Sequence, residues 1–105
     1  MAWIMLLIAG LFEVVWAFAM KQSEGFSRLW PTVITLVAMA ISFFLLAAAM
    51  RTIPLGTAYT IWTGIGAVGA FVVGVTLLGE HLSLMRVVAA ALILCGLVLM
   101  KLASH

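Results

Sequence analysis

Apolar residues do not alternate with polar ones along this chain; they run in four long blocks separated by short polar breaks. The first block, Ala2 to Met20, is interrupted only by Glu13, and Lys21 to Leu29 follows as the one conspicuously polar stretch. Pro31 stands where a first helical turn tolerates proline, and a second block continues to Met50. Arg51-Thr52 breaks the pattern, Pro54 and Gly56 mark a tight connection, and a third, glycine-rich block reaches Leu78. Gly79-Glu80-His81 ends it, Ser83 is placed to cap a last helix, and a short tail from Lys101 to His105 follows. A hydrocarbon core about 30 Å thick takes about 20 helical residues to cross. The pattern therefore predicts four transmembrane helices, over about 2–20, 30–50, 55–78 and 84–100, in an all-α membrane protein with one domain, 1–105.

Composition removes the soluble alternative. Of 105 residues, 68% are hydrophobic and 8% charged, whereas roughly a quarter of an ordinary globular chain is charged. Four spans leave no room for a catalytic domain. No nucleophile with a base and no cluster of metal ligands is visible, so neither an enzyme nor a cofactor or metal site is expected. The net charge of +2 comes from Lys and Arg scattered singly, without the basic tract that grips nucleic acid.

Those cations bear on topology instead. Four spans return both termini to one side, with Arg51 and Lys101 beside them and Lys21, Arg28 and Arg86 opposite. So even a count barely specifies orientation, which opens the chain to an antiparallel, dual-topology homodimer. Four short helices also enclose too little volume for a solvated pathway, a second argument for an oligomer. Ala17-Phe18-Ala19 looks like a signal-peptidase site, but no cationic segment precedes it and Glu13 sits in the apolar run, so this segment is expected as a retained helix. The single cysteine, Cys95, excludes an intrachain disulfide and is expected as a small buried hydrophobe.

Glu13 is the residue that calls for an explanation. It lies near mid-bilayer, beyond snorkelling reach of either interface, where an ionised acid costs about 2.5–3.5 kcal/mol. Acids at that depth usually face a bundle interior or wet cavity and mark ion or proton pathways; the bland reading is a protonated Glu acting as interhelical hydrogen-bond glue. Trp16 follows one turn on, Tyr59 and Trp62 repeat that spacing in the third helix, and Ser42 is near the middle of the second. Their donors could orient the carboxylate and their rings could hold a cation. Ordinary packed or lipid-facing aromatics fit the same pattern. Trp3 and Trp30, near helix ends, fit an interfacial belt.

Gly64-Ile65-Gly66-Ala67-Val68-Gly69 matches a dinucleotide-binding fingerprint literally, but that fingerprint needs a strand and a turn before its helix, and here the glycines lie inside an apolar span. Gly66, Ala70 and Gly74 form a small-residue stripe suited to close helix packing, and Gly64 with Gly66 suits a hinge for alternating access. Ala89 and Gly96 make a smooth face on the last helix and are expected at a dimer contact. Glu80, His81, Arg86 and Lys101 read as solvated charges near span ends.

Glu13 with Trp16, the loop Lys21-Gln22-Ser23-Glu24-Gly25-Phe26-Ser27-Arg28, and the run from Pro54 through Tyr59 and Trp62 to Gly66 strongly resemble the small multidrug resistance family, over essentially the whole chain. Within it the sequence is most similar to the guanidinium exporter subtype. Trp16 follows the acid, and Trp62-Thr63-Gly64-Ile65-Gly66-Ala67 replaces the Trp-Ser-Gly pattern usual in exporters of polyaromatic drugs. Thr60 departs from the alanine more usual there.

The resemblance implies an antiparallel homodimer in the bacterial cell (inner) membrane, with both Glu13 side chains in one cavity and Trp16, Ser42, Tyr59 and Trp62 around them. It implies exchange of protons for guanidinium or small substituted guanidinium cations. Guanidinium is planar and weakly hydrated, and its N–H edges match carboxylates bidentately. Two acids in one cavity repel when ionised and titrate as a pair, which allows two protons per cation. The alternative is a broader quaternary ammonium or multidrug cation exporter using the same acid; a non-transporting membrane subunit is a third reading.

Overall fold

The computed structural model describes residues 1–103; of the expected tail, Ser104 and His105 lie outside the described residues. Four α-helices make up the chain: α1 Ala2–Gln22, α2 Leu29–Ala49, α3 Leu55–Leu77 and α4 Leu84–Ala103. Each is long and apolar enough to cross a membrane. The ends differ from the sequence pattern by up to a turn. α1 continues through Lys21 and Gln22 and α4 through Lys101 to Ala103, because hydropathy marks the edge of the hydrocarbon while the backbone ladder runs on past it. α2 starts one residue earlier and stops at Ala49, and α3 stops at Leu77.

The connections are tight. After α1 the chain reverses through three successive positive φ angles, at Glu24, Gly25 and Phe26. Ser23 makes this turn: fully buried, its hydroxyl donates to the Met20 carbonyl (2.6 Å) and accepts from the Phe26 N–H (3.0 Å). Between α2 and α3, the Ile53 N–H donates back to the Ala49 carbonyl at 3.0 Å, and the Ile53 side chain enters the core. α3 ends ahead of Gly79, whose φ of 68° suits glycine. Ser83 caps α4 by accepting from the Arg86 N–H at 3.2 Å.

α1 is the central helix. It packs along α2 and α3, α2 touches α3 little, and α4 packs along α3, reaching α1 through Lys101 over the Trp3 ring. Three of the fully buried core positions are alanines, Ala9, Ala49 and Ala58, interleaved with Leu6, Leu46, Ile61 and Trp62. Small residues suit an apolar solvent, where helix association draws on close contact rather than on expelling water. Gly10 on α1 accepts Ile65 of α3, Val14 sits on Gly69, and Leu97 of α4 sits on Gly64. α3 is a continuous helix through all these glycines. No residue of α4 is buried, and Cys95, expected inside, is exposed because its helix packs along one neighbour only.

The α1–α3 seam generates a prediction. A Cβ at Gly10 would come within 2.5 Å of Ile65 Cγ2, whereas one at Gly56 meets nothing within 4 Å. Gly10→Ala is therefore expected to lower stability by about 1–3 kcal/mol through overpacking, and Gly56→Ala to leave it unchanged or slightly raised. Unfolding in detergent, followed by circular dichroism, measures both.

Candidate functional site

α1 carries Glu13 past its midpoint, and the side chain is directed across the seam at α3. A Cβ on Gly66 would overlap the Glu13 carboxylate, so the missing side chain is what lets the acid lie against the α3 backbone. Gly66 is buried, and Glu13 is half-buried. Its Oε1 is shut off from solvent and meets no protein hydrogen-bond donor, and Trp16 Nε1, one turn on, is likewise buried without a protein acceptor. Among the described residues Glu13 has no ion-pair partner; Arg86, Lys101 and the other cations stand at helix ends. A carboxylate so placed, with an indole N–H one turn away, has acceptor capacity left for a proton or a small cation.

Ser42, at the middle of α2, is fully buried. Its hydroxyl donates to the Ala9 carbonyl of α1 at 2.7 Å and accepts from Trp62 Nε1 of α3 at 3.0 Å. A helix carbonyl has a second lone pair to offer, so Ala9 takes this bond while remaining in its own ladder. Ala9 is one turn before Glu13, and the bond therefore fixes α2 against α1 next to the acid. Ser42 and Trp62, expected among the donors around Glu13, are engaged here with Ala9 and with each other, as buried polar groups require partners. They position the helices around the site, with the Trp62 ring buried between Phe43 and Tyr59.

An aromatic run continues from there. Trp16 meets Phe43 edge-on at 6.3 Å between ring centres, Phe43 meets Trp62 at 5.7 Å, and Trp62 meets Tyr59 at 5.6 Å. Separations of 4.5–7 Å with inclined rings are the favourable geometry for such pairs. The run joins α1, α2 and α3. Tyr59 is its outer end: more than half exposed, it borders a cleft of about 510 Å³ between α3 and α4, along with Thr60, Thr63 and Gly96, on a side to which Glu13 does not contribute.

The small residues separate. Gly64 receives Leu97 and Gly66 receives Glu13, while Gly74 lies under the Glu80 side chain, 2.7 Å from its Cδ to a Cβ position. Ala70 is exposed. Within the stripe Gly66 thus meets a carboxylate and Gly74 a loop side chain, while the helix contact falls to Gly64 outside it. Ala89 and Gly96 are exposed on α4. Arg86, read as solvated, pairs with Glu80 at 3.3 Å and lies 5.0 Å from the Phe71 ring centre. Phe43 went unnoticed in the sequence. Its signal was adjacency to Ser42, which places it one residue around the same helix, toward Trp16.

A bundle of four membrane-crossing helices with one acid deep in the seam between its first and third defines a multi-pass membrane protein. The family model described as Small Multidrug Resistance protein matches residues 1–93. A guanidinium exporter of Yersinia pseudotuberculosis is 62% identical over 99% of this chain and all of its own length. Guanidinium exporters of Salmonella typhimurium and Escherichia coli K12 are 57% and 56% identical over the full length of both chains. The chain belongs to the small multidrug resistance family.

Removing the Ser42 hydroxyl leaves the Trp62 indole N–H buried and unpaired. Ser42→Ala is expected to cost about 1–3 kcal/mol, the desolvation penalty of an orphaned donor. It is also expected to shift tryptophan emission as Trp62 loses its acceptor. Detergent unfolding and steady-state fluorescence read the two effects.

Proposed function

We propose that this protein is a proton-coupled antiporter that exports guanidinium, working by alternating access as an antiparallel homodimer in the bacterial inner membrane. The observation that carries the reading is the Glu13 carboxylate, held against Gly66 with no neutralising cation among the described residues, in a chain whose close relatives are named guanidinium exporters. Two copies of Glu13 in one cavity offer carboxylate edges to the N–H edges of a planar cation, or accept protons in its place. Competition for the same oxygens couples the two: the cavity changes sides when loaded with protons or with guanidinium, and seldom when empty. Two acids permit two protons for each cation, an exchange that carries net charge.

Trp16, Ser42, Tyr59 and Trp62 act as the surrounding network in this reading, with Ser42 and Trp62 as positioning residues. The glycines Gly64 and Gly66 supply the bend in α3 that reopens the cavity, and Ala70 and Gly74 the close packing beside it. Ala89 and Gly96 lie at the contact between subunits. The exposure of Ala89 and Gly96 supports an assembly that covers that face of α4. One observation favours the broader reading, export of quaternary ammonium or other hydrophobic cations: the run Trp16–Phe43–Trp62 is an aromatic surface able to hold bulky cations.

Guanidinium uptake into proteoliposomes under an imposed proton gradient tests the proposal. The parent is expected to take up guanidinium with a measurable current, and Glu13→Gln to show neither. Uptake without current would rule out the two-for-one exchange, and competition by bulky cations without guanidinium uptake would move the assignment to the broader reading. Binding carries a pH signature as well. Protonation removes the acceptor, so guanidinium affinity is expected to fall on acidification, by up to about tenfold per pH unit for each proton displaced. Gly66→Ala, which pushes the carboxylate off the α3 backbone, is expected to weaken binding with Glu13 intact. Titration calorimetry across pH measures both.

A further inference from the structure

The two ends of the bundle differ in charge. Arg51 and Lys101 stand at the end where α1 and α3 begin and α2 and α4 end, while both loop carboxylates, Glu24 and Glu80, stand at the opposite end. Among the described residues the first end therefore holds cations without a carboxylate.

At that end α1, α3 and α4 diverge around a cleft of about 440 Å³. Ile4, Leu7, Ile61 and Ile65 form an apolar wall running into the span, and Trp3 and Lys101 stand at its mouth. Lys101 Nζ lies 4.7 Å from the Trp3 ring centre. The ring holds the ammonium by its quadrupole, and an ammonium has three donors, so N–H bonds remain for an outside acceptor. From Ile61 to Ile65 the wall is about 6 Å long, at 1.5 Å per helical residue. That matches a glycerol and the first methylenes of an acyl chain.

We propose that this cleft binds an anionic phospholipid, with Lys101 on the phosphate, Trp3 fixing the ammonium and the aliphatic wall taking the first acyl segment. The charge pattern selects the headgroup. A zwitterionic lipid brings an ammonium of its own, which meets no side-chain carboxylate among the described residues of this end and has two side-chain cations, Arg51 and Lys101, to avoid. The position selects a lipid over a protein: the cation stands at helix-end height, where phosphates are, and the apolar wall leads from it into the hydrocarbon.

Native mass spectrometry of the full chain released from mixed phosphatidylglycerol and phosphatidylcholine bilayers tests this. Phosphatidylglycerol is expected to be retained in preference. Lys101→Gln is expected to lower that preference about fivefold, the effect of one basic side chain near an anionic surface, and Lys101→Arg to keep it. Val98→Trp, which fills the cleft from α4 without touching the charge, is expected to reduce retention. Arg51→Gln, at the same end but outside the cleft, is expected to leave it unchanged. An equal loss on Arg51→Gln would reduce the effect to diffuse surface charge, and no loss on Lys101→Gln would overturn the site. A change in subunit number with Val98→Trp, in place of a change in lipid number, would make the cleft a seam between copies.

Discussion

The hydroxyl of Ser42 is where three helices are tied together. α2 and α3 touch each other little, and each is aligned mainly through α1; the bond from Trp62 to Ser42 and from Ser42 to Ala9 is the polar link that sets all three in register. In hydrocarbon, apolar packing alone fixes rotation and depth weakly, because lipid tails are as good a neighbour as a leucine. A hydrogen bond between fixed donors and acceptors is directional, so it sets what packing leaves loose. The acid lies one turn from that bond and inherits its alignment.

Glu13 illustrates a second constraint. A carboxylate within a helical bundle needs either a partner or room, and the chain provides room by deleting a side chain on the facing helix at Gly66. The same economy appears at the far end of α3, where Gly74 lies beneath Glu80 and the Glu80 N–H donates to the Gly74 carbonyl at 2.9 Å. In both places a glycine backbone meets an acidic side chain that no bulkier residue would admit.

Much of the architecture was legible because the hydrocarbon imposes it. Backbone groups in lipid must be satisfied within the segment, so an apolar block of sufficient length is a helix whatever its neighbours do. The depth of Glu13 followed from the same arithmetic. What each small residue faces did not, since Gly64, Gly66 and Gly74 look alike in sequence and receive a leucine, a glutamate and a loop acid respectively. The hydroxyl of Ser42 was visible as a polar atom in an apolar helix, but its partners were not: one is a backbone carbonyl, which every residue possesses. Cys95 was misjudged for a related reason. Apolar composition in a membrane helix does not distinguish the side facing protein from the side facing lipid.

α4 contributes no buried residue, and this bears on how the chain is assembled. Domains made at the ribosome form from the N-terminus onward. α4 is the last helix to leave the insertion machinery, and the acid, the serine bridge and the aromatic run lie wholly within α1, α2 and α3. The last helix is thus an outrigger on the body that holds the site. Apart from the contacts of Arg86, Leu97, Met100 and Lys101, its residues face whatever surrounds the bundle, while those of the first three helices are bound to one another.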